Sequence, residues 1–339
     1  MVEGARVTYP GERDGGESLV TPAPFHLEAT VRVLQRRPSN RVDVWDEGRY
    51  QRVLTIAGEL VLIEVEDRGT VDAPDLRYVV SHGDVSPAAR PQLVAILRKV
   101  LGLDVDPAPL LQLTTADRRL RPTGLALRGM RPPRFAEWFE VFANVVPFQQ
   151  VSLDAGAAVV ARLVERFGRS IERAGRRFHA FPTAQAVAAA RVDTLRACGL
   201  SARKAEVLRH LARAIASGEL AEATIAGLAT PDALATLGEL PGIGPWSAAL
   251  VLLRGLGRLD VFPPGDVGVA RGLGTLMRVA ADAPLDVERF GDRRGYLYFC
   301  SLGGHAGAGP HSRGAAAEAR AGLRSLAGHG RCEDIQGRV

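Results

Sequence analysis

Two stretches constrain this chain more than any others: Leu240-Pro241-Gly242-Ile243-Gly244-Pro245-Trp246-Ser247-Ala248-Ala249, and then Asp260-Val261-Phe262-Pro263-Pro264-Gly265-Asp266. Before the glycines, residues 230–240 read TPDALATLGEL, with Thr230 as a helix cap, Pro231 at the first helical position and alanine and leucine at helical spacing. Pro245 opens a second helix in the same way, running to about Gly257. A glycine turn between two helices, with the free N–H groups of the second, makes a positive nest for a phosphate. One carboxylate, Asp266, follows on a proline–glycine turn. The pattern predicts a unit that grips a phosphate backbone and presents an acid.

Gly-x-Gly before a helix also opens dinucleotide-binding folds, in which Asp260 or Asp266 would stand near the place of a ribose-binding acid. That architecture demands a strand directly before the glycines, and residues 230–240 contain no β-branched run. A plain turn between two helices is the other reading of the glycines taken alone.

The chain has 339 residues, enough for two or three domains, and its 46% hydrophobic and 24% charged content is ordinary for a folded protein. A net charge of +5 permits a polyanionic partner without demanding one. No run of 18 apolar residues occurs and the N-terminus is polar, so neither a membrane span nor a signal peptide is expected, and the expected location is the cytoplasm. Cys198, Cys300 and Cys332 are too few for a disulfide frame, a zinc cage or a four-cysteine iron–sulfur cluster. His305, His311 and His329 lack ligand spacing.

Taken in order, residues 1–22 are expected to be a flexible lead, 23–112 an α+β domain, 113–303 a helical region and 304–339 a tail. Phe25 to Arg36 places Leu27, Val31 and Leu34 on one helical side. Four β-rich runs follow, 42–45, 50–56, 60–65 and 76–80, with Gly48, Gly58 and Gly69 between them, predicting an antiparallel sheet. Pro91 to Leu101, stopped by Gly102, predicts a helix packed on it. Strand signals largely end near residue 112. Helices are predicted over 133–146, over 152–168 with Ala155, Val159, Leu163 and Phe167 inward, over 184–190 capped by Thr183, and from Ser201 to Gly218. In the last of these Arg203, Lys204, Arg209 and Arg213 are expected to point outward. Further helices are predicted at 267–279, 284–292, 295–301 and 313–326.

The hairpin and the acid stretch together resemble the helix-hairpin-helix, Gly/Pro-Asp superfamily of DNA glycosylases, and within it the 3-methyladenine DNA glycosylase II branch. Similar proteins carry Leu/Phe-Pro-Gly-Ile-Gly-x-Trp-Thr/Ser-Ala and then Asp-Val-Phe-x-Pro-x-Asp. Phe148-Gln149-Gln150-Val151-Ser152 resembles the family's Gly-Gln-Gln-Ile/Val-Ser stretch, and Phe181-Pro182-Thr183, Leu195 to Leu200 and Lys204-Ala205 are similar to its middle helices. The sheet before residue 112 corresponds to its N-terminal α+β domain.

The resemblance implies an α+β fold and an enzyme that turns an alkylated purine out of damaged double-stranded DNA and hydrolyses its N-glycosidic bond. Asp266 would be catalytic. Trp246 would be a wall on which the flipped base stacks, with Leu250, Val267 and Phe148 completing the pocket. Gln150 would fill the gap in the duplex, with Gln149, Gly242, Gly244 and Ser247 as further DNA contacts. Carbonyls of Gly238, Leu240 and Ile243 would hold a structural sodium or potassium ion, and no other cofactor is implied. Branches that also cut the strand carry a lysine where Trp246 stands, so a monofunctional enzyme is implied; a monomer is expected as well.

This chain departs from the family at Phe148, where glycine is usual, and at Leu250 and Val267, where relatives can have aromatics. Tyr296 to Leu302 replaces the tryptophan-rich end of the last helix. These departures bear on the substrate range. A glycosylase for deaminated or oxidised bases, and a catalytically silent sensor of DNA damage, remain the alternatives.

Overall fold

The computed structural model describes residues 16–278 and 286–306, with side chains as far as 302. The helix predicted at 313–326 lies outside the described residues. A five-stranded antiparallel sheet forms from β1 (Glu17–Ser18), β2 (Val44–Asp46), β3 (Arg49–Ile56), β4 (Glu59–Asp67) and β5 (Leu76–His82), in the spatial order β1-β5-β4-β3-β2. The chain is anchored from Glu17, which pairs with Tyr78, and Leu19 is buried, so the expectation of a flexible lead is corrected over 17–19; residues 1–15 lie outside the described residues. Helices α1 (Leu27–Gln35) and α2 (Arg90–Leu101) close one face of the sheet, where Leu27, Val31, Leu93 and Leu97 pack against Tyr50, Leu54, Ile63 and Val65. Gly102 ends α2 in the left-handed conformation, as predicted.

Central strand β4 is apolar at consecutive positions because both of its faces are covered. The second cover was not predicted. Between α6 (Leu153–Phe167) and the following helices the chain forms a hairpin of β6 (Ser170–Arg173) and β7 (Arg176–His179), with Ala174 and Gly175 both at positive φ in the turn. Ile171 and Phe178 of this hairpin pack on Val53 and Leu62 of the sheet.

The helical region comprises α3 (Ala108–Ala116), α4 (Arg121–Ala126), α5 (Trp138–Ala143), α6, α7 (Ala184–Ala188), α8 (Val192–Ala197), α9 (Ala202–Ser217), α10 (Glu222–Ala226), α11 (Thr230–Gly238), α12 (Pro245–Val251), α13 (Val267–Met277) and α14 (Gly295–Ala306). Ser152, Thr183 and Ser201 cap their helices through side-chain oxygens, as predicted. The helix expected over 133–146 is only α5, followed by a 3-10 turn at Val146–Phe148. Pro132 and Pro133 hold the chain extended before it, and Phe135 N–H instead bonds the Arg254 carbonyl at 3.0 Å. Ala155 is exposed, and the buried stripe of α6 runs through Gly156, Val159 and Leu163. Where a helix over 284–292 was predicted, the described part is a 3-10 stretch, Glu288–Arg293.

One ionic cluster ties the sheet to the helices. Arg52 is 2% exposed; it donates to Asp43 Oδ1 and to Glu140 Oε2, each at 2.6 Å. Tyr50 also donates to Asp43, at 2.8 Å. Burial pushes the Glu140 carboxyl up to about 7 against the pull of Arg52. Cys198 and Cys300 are buried, and burial pushes the Cys300 thiol up to about 12. No helix among the described residues is long and apolar enough to cross a membrane.

Candidate active site at the hairpin

Helix α11 precedes the glycines, so the strand that a dinucleotide site requires is absent. Thr230 lies inside the first turn of α11 and does not cap it. Its hydroxyl donates to Asp260 Oδ2 at 2.6 Å. Gly242 takes a φ of +77°, and a Cβ there would lie 2.6 Å from Val207 Cγ2. A Cβ on Gly244 would meet nothing within 4 Å, and its backbone is ordinary and extended. Gly242→Ala is expected to lower the unfolding free energy by about 2 kcal/mol, and Gly244→Ala by less than about 0.5 kcal/mol, in urea denaturation. That contrast assigns Gly242 to folding and leaves Gly244 open to a ligand.

Pro263, Pro264 and Gly265, with Gly265 at φ +70°, turn the chain so that Asp266 starts α13. Its Oδ1 accepts the Val269 N–H at 2.9 Å, capping the helix. Its Oδ2 accepts the Trp246 indole N–H at 3.0 Å. Both oxygens are thus fixed by donors from different elements while the residue stays half-exposed. Trp246 is half-buried on the first turn of α12, its polar edge on the acid.

The loop at 148–150 faces this unit. Gln149 Nε2 donates to the Gly242 carbonyl at 2.8 Å and to Ser247 Oγ at 2.9 Å. Gln149 and Ser247, expected among the DNA contacts, are bonded to each other here, and Ser247 is buried. Gln150 is exposed, with φ at +54°.

The expected pocket residues divide. Leu250 is buried in the core beneath Trp246, whereas Val267 is 68% exposed at the start of α13. Phe148 is turned toward α6, where its ring would meet a Cβ on Gly156 at 2.3 Å, and Arg36 lies 5.7 Å from its centroid. Arg36 in turn donates to the Tyr298 hydroxyl of α14. Behind these, a π-helical turn at Leu252–Leu256 carries Arg254 into the interior, 1% exposed and 4.8 Å from the Phe135 ring centroid. Burial brings its guanidinium down to about 10.

The hairpin, the acid and the glutamine loop form one constellation, and the region that holds them matches known proteins. Residues 144–293 match the HhH-GPD superfamily base excision DNA repair protein model, and residues 18–137 match the AlkA N-terminal domain model. The chain is 30% identical over 251 residues to the DNA-3-methyladenine glycosylase of Bacillus subtilis (strain 168), covering 74% of this chain and 82% of that one. It belongs to the HhH-GPD superfamily. A second relative, DNA-3-methyladenine glycosylase 2 of Escherichia coli (strain K12), is 29% identical over 272 residues, covering 80% of this chain and 89% of that protein. Among solved structures, the 3-methyladenine DNA-glycosylase from Archaeoglobus fulgidus superposes with a TM-score of 0.69 at 26% identity, covering 84% of this chain and 97% of that one. The AlkA N-terminal domain match places the chain in the AlkA-like branch of the HhH-GPD superfamily and accounts for the α+β architecture.

Proposed function

We propose that this chain is a monofunctional DNA glycosylase of base excision repair, acting on alkylated purines of the 3-methyladenine type in double-stranded DNA. The observation that carries the reading is Asp266, held between the Trp246 and Val269 N–H groups directly beyond a helix-hairpin-helix turn. A carboxylate cannot reach C1′ of a stacked nucleotide, so the nucleotide is turned out of the duplex first. As the base departs, C1′ gains oxocarbenium character. The ionised Asp266 stabilises it electrostatically and orients the attacking water. Trp246 supplies an aromatic face for the extruded purine.

The hydrolytic outcome rests on the lysines. The chain contains only Lys99 and Lys204; Lys99 pairs with Glu222 at 2.6 Å, and Lys204 is engaged by two carbonyls. Neither is offered as a Schiff-base nucleophile, and Trp246 cannot form one. Gln150, exposed at its loop tip, is the residue to enter the gap left in the duplex. A sodium or potassium ion on the Gly238, Leu240 and Ile243 carbonyls belongs to the same reading, since oxygen donors suit a hard cation. So does a monomeric enzyme.

The test is a base-release assay across methylated, deaminated and oxidised duplexes, with borohydride trapping in parallel. The expected result is free alkylated purine, strand breakage only after heat or alkali, and no covalent adduct. A trapped adduct, or no released base from any substrate, overturns the reading.

A further inference from the structure

Lys204 was expected to face solvent with Arg203, Arg209 and Arg213. Instead its Nζ crosses from α9 to the glutamine loop and donates to the Pro147 carbonyl at 3.2 Å and the Gln149 carbonyl at 2.6 Å. Arginine supplies nearly all of this chain's positive charge, yet this position carries one of its two lysines. The chemistry favours that choice. Two nearby carbonyls on one loop are met by a compact ammonium with three rotatable donors.

The contact completes a set of anchors around Gln150. Phe148 is seated on Gly156 of α6, the Gln149 side chain is tied to Gly242 and Ser247, and Ser152 caps α6 by accepting the Ala155 N–H at 3.2 Å. Only Gln150 and Val151 stand between these anchors, and both are exposed. Gln150 holds a left-handed backbone, unfavourable for a residue with a Cβ unless its surroundings impose it.

We infer that Lys204 is a positioning residue that fixes the loop carbonyls and so presets Gln150 for entry into the duplex. The inference rests on the reading of Gln150 as the residue that fills the gap. A loop ordered before DNA arrives does not bear the ordering cost at the moment the nucleotide leaves the stack. Burial holds the Lys204 ammonium below the ordinary lysine range, but the hydrogen bonds keep it at the carbonyls.

Two variants, Lys204→Met and Lys204→Arg, test it through amide hydrogen exchange over residues 146–152. Exchange there is expected to rise about tenfold in Lys204→Met and less in Lys204→Arg, with α6 and α9 unchanged. Unchanged loop exchange overturns the inference whatever the activity. Single-turnover base release should fall about tenfold in Lys204→Met, and no further when the change is added to Gln150→Ala. Additive losses in the double variant would show that Lys204 does not act through Gln150. If Gln150→Ala alone releases base at the wild-type rate, the gap-filling reading fails, while the exchange result still decides the anchoring.

Discussion

Asp266→Asn is expected to lower single-turnover base release by at least about 100-fold, the scale on which loss of a preorganised electrostatic group slows a reaction. The amide keeps the size of the side chain and can still accept the Val269 N–H, so the cap on α13 survives. It cannot serve both donors, however. Asp266 offers two acceptor oxygens and asparagine one, so either the Val269 N–H or the Trp246 N–H loses its partner, at about 1 kcal/mol of stability. Affinity for a duplex carrying an abasic analogue should stay within a few-fold of wild type, because the hairpin and the glutamine loop are untouched. Base release within tenfold of wild type would remove Asp266 from the mechanism.

Arg52→Met is expected to lower the unfolding free energy by about 3–5 kcal/mol, the usual consequence of leaving buried ionic partners uncompensated. Asp43 and Glu140 would both lose the guanidinium they share, in a place closed to solvent. Glu140→Gln should behave differently. The Glu140 carboxyl is already pushed up to about 7 by burial, and the amide retains an acceptor for Arg52 and the Ala136 N–H, so a loss of about 1 kcal/mol or less follows. Thermal denaturation of the two variants side by side checks both values. Equal losses would mean that shape, rather than charge, holds this seam.

Strands β2 to β5, the Gly102 stop and the Ser152, Thr183 and Ser201 caps were legible in the sequence because each is a local matter of side-chain period or of one oxygen near a helix start, whereas the two-residue β1 is too short to show a period. The hairpin of β6 and β7 was not. It contributes only Ile171 and Phe178 to the core and turns on Ala174-Gly175, without an asparagine or aspartate to announce it. Arg52 did leave a trace: strand alternation puts it on the same face as Tyr50 and Leu54, where a charge must find partners. The partners themselves, 9 and 88 residues away, belong to tertiary structure. In the site, the glycine turn and Asp266 were readable from spacing and resemblance. The engagement of Gln149 by the hairpin and of Lys204 by the loop depends on segments about 55 to 98 residues apart meeting in space.

The hairpin at 170–179 lies in the second of the two matched regions yet covers the sheet of the first, and Arg173 and Arg176 pair with Glu64 and Asp46 across that seam. Recombination between relatives at the natural-looking border near residue 140 would therefore part a sheet from its own lid. Any chimera that exchanges the front half has to carry this hairpin with it, or inherit two bare faces in place of one shared core.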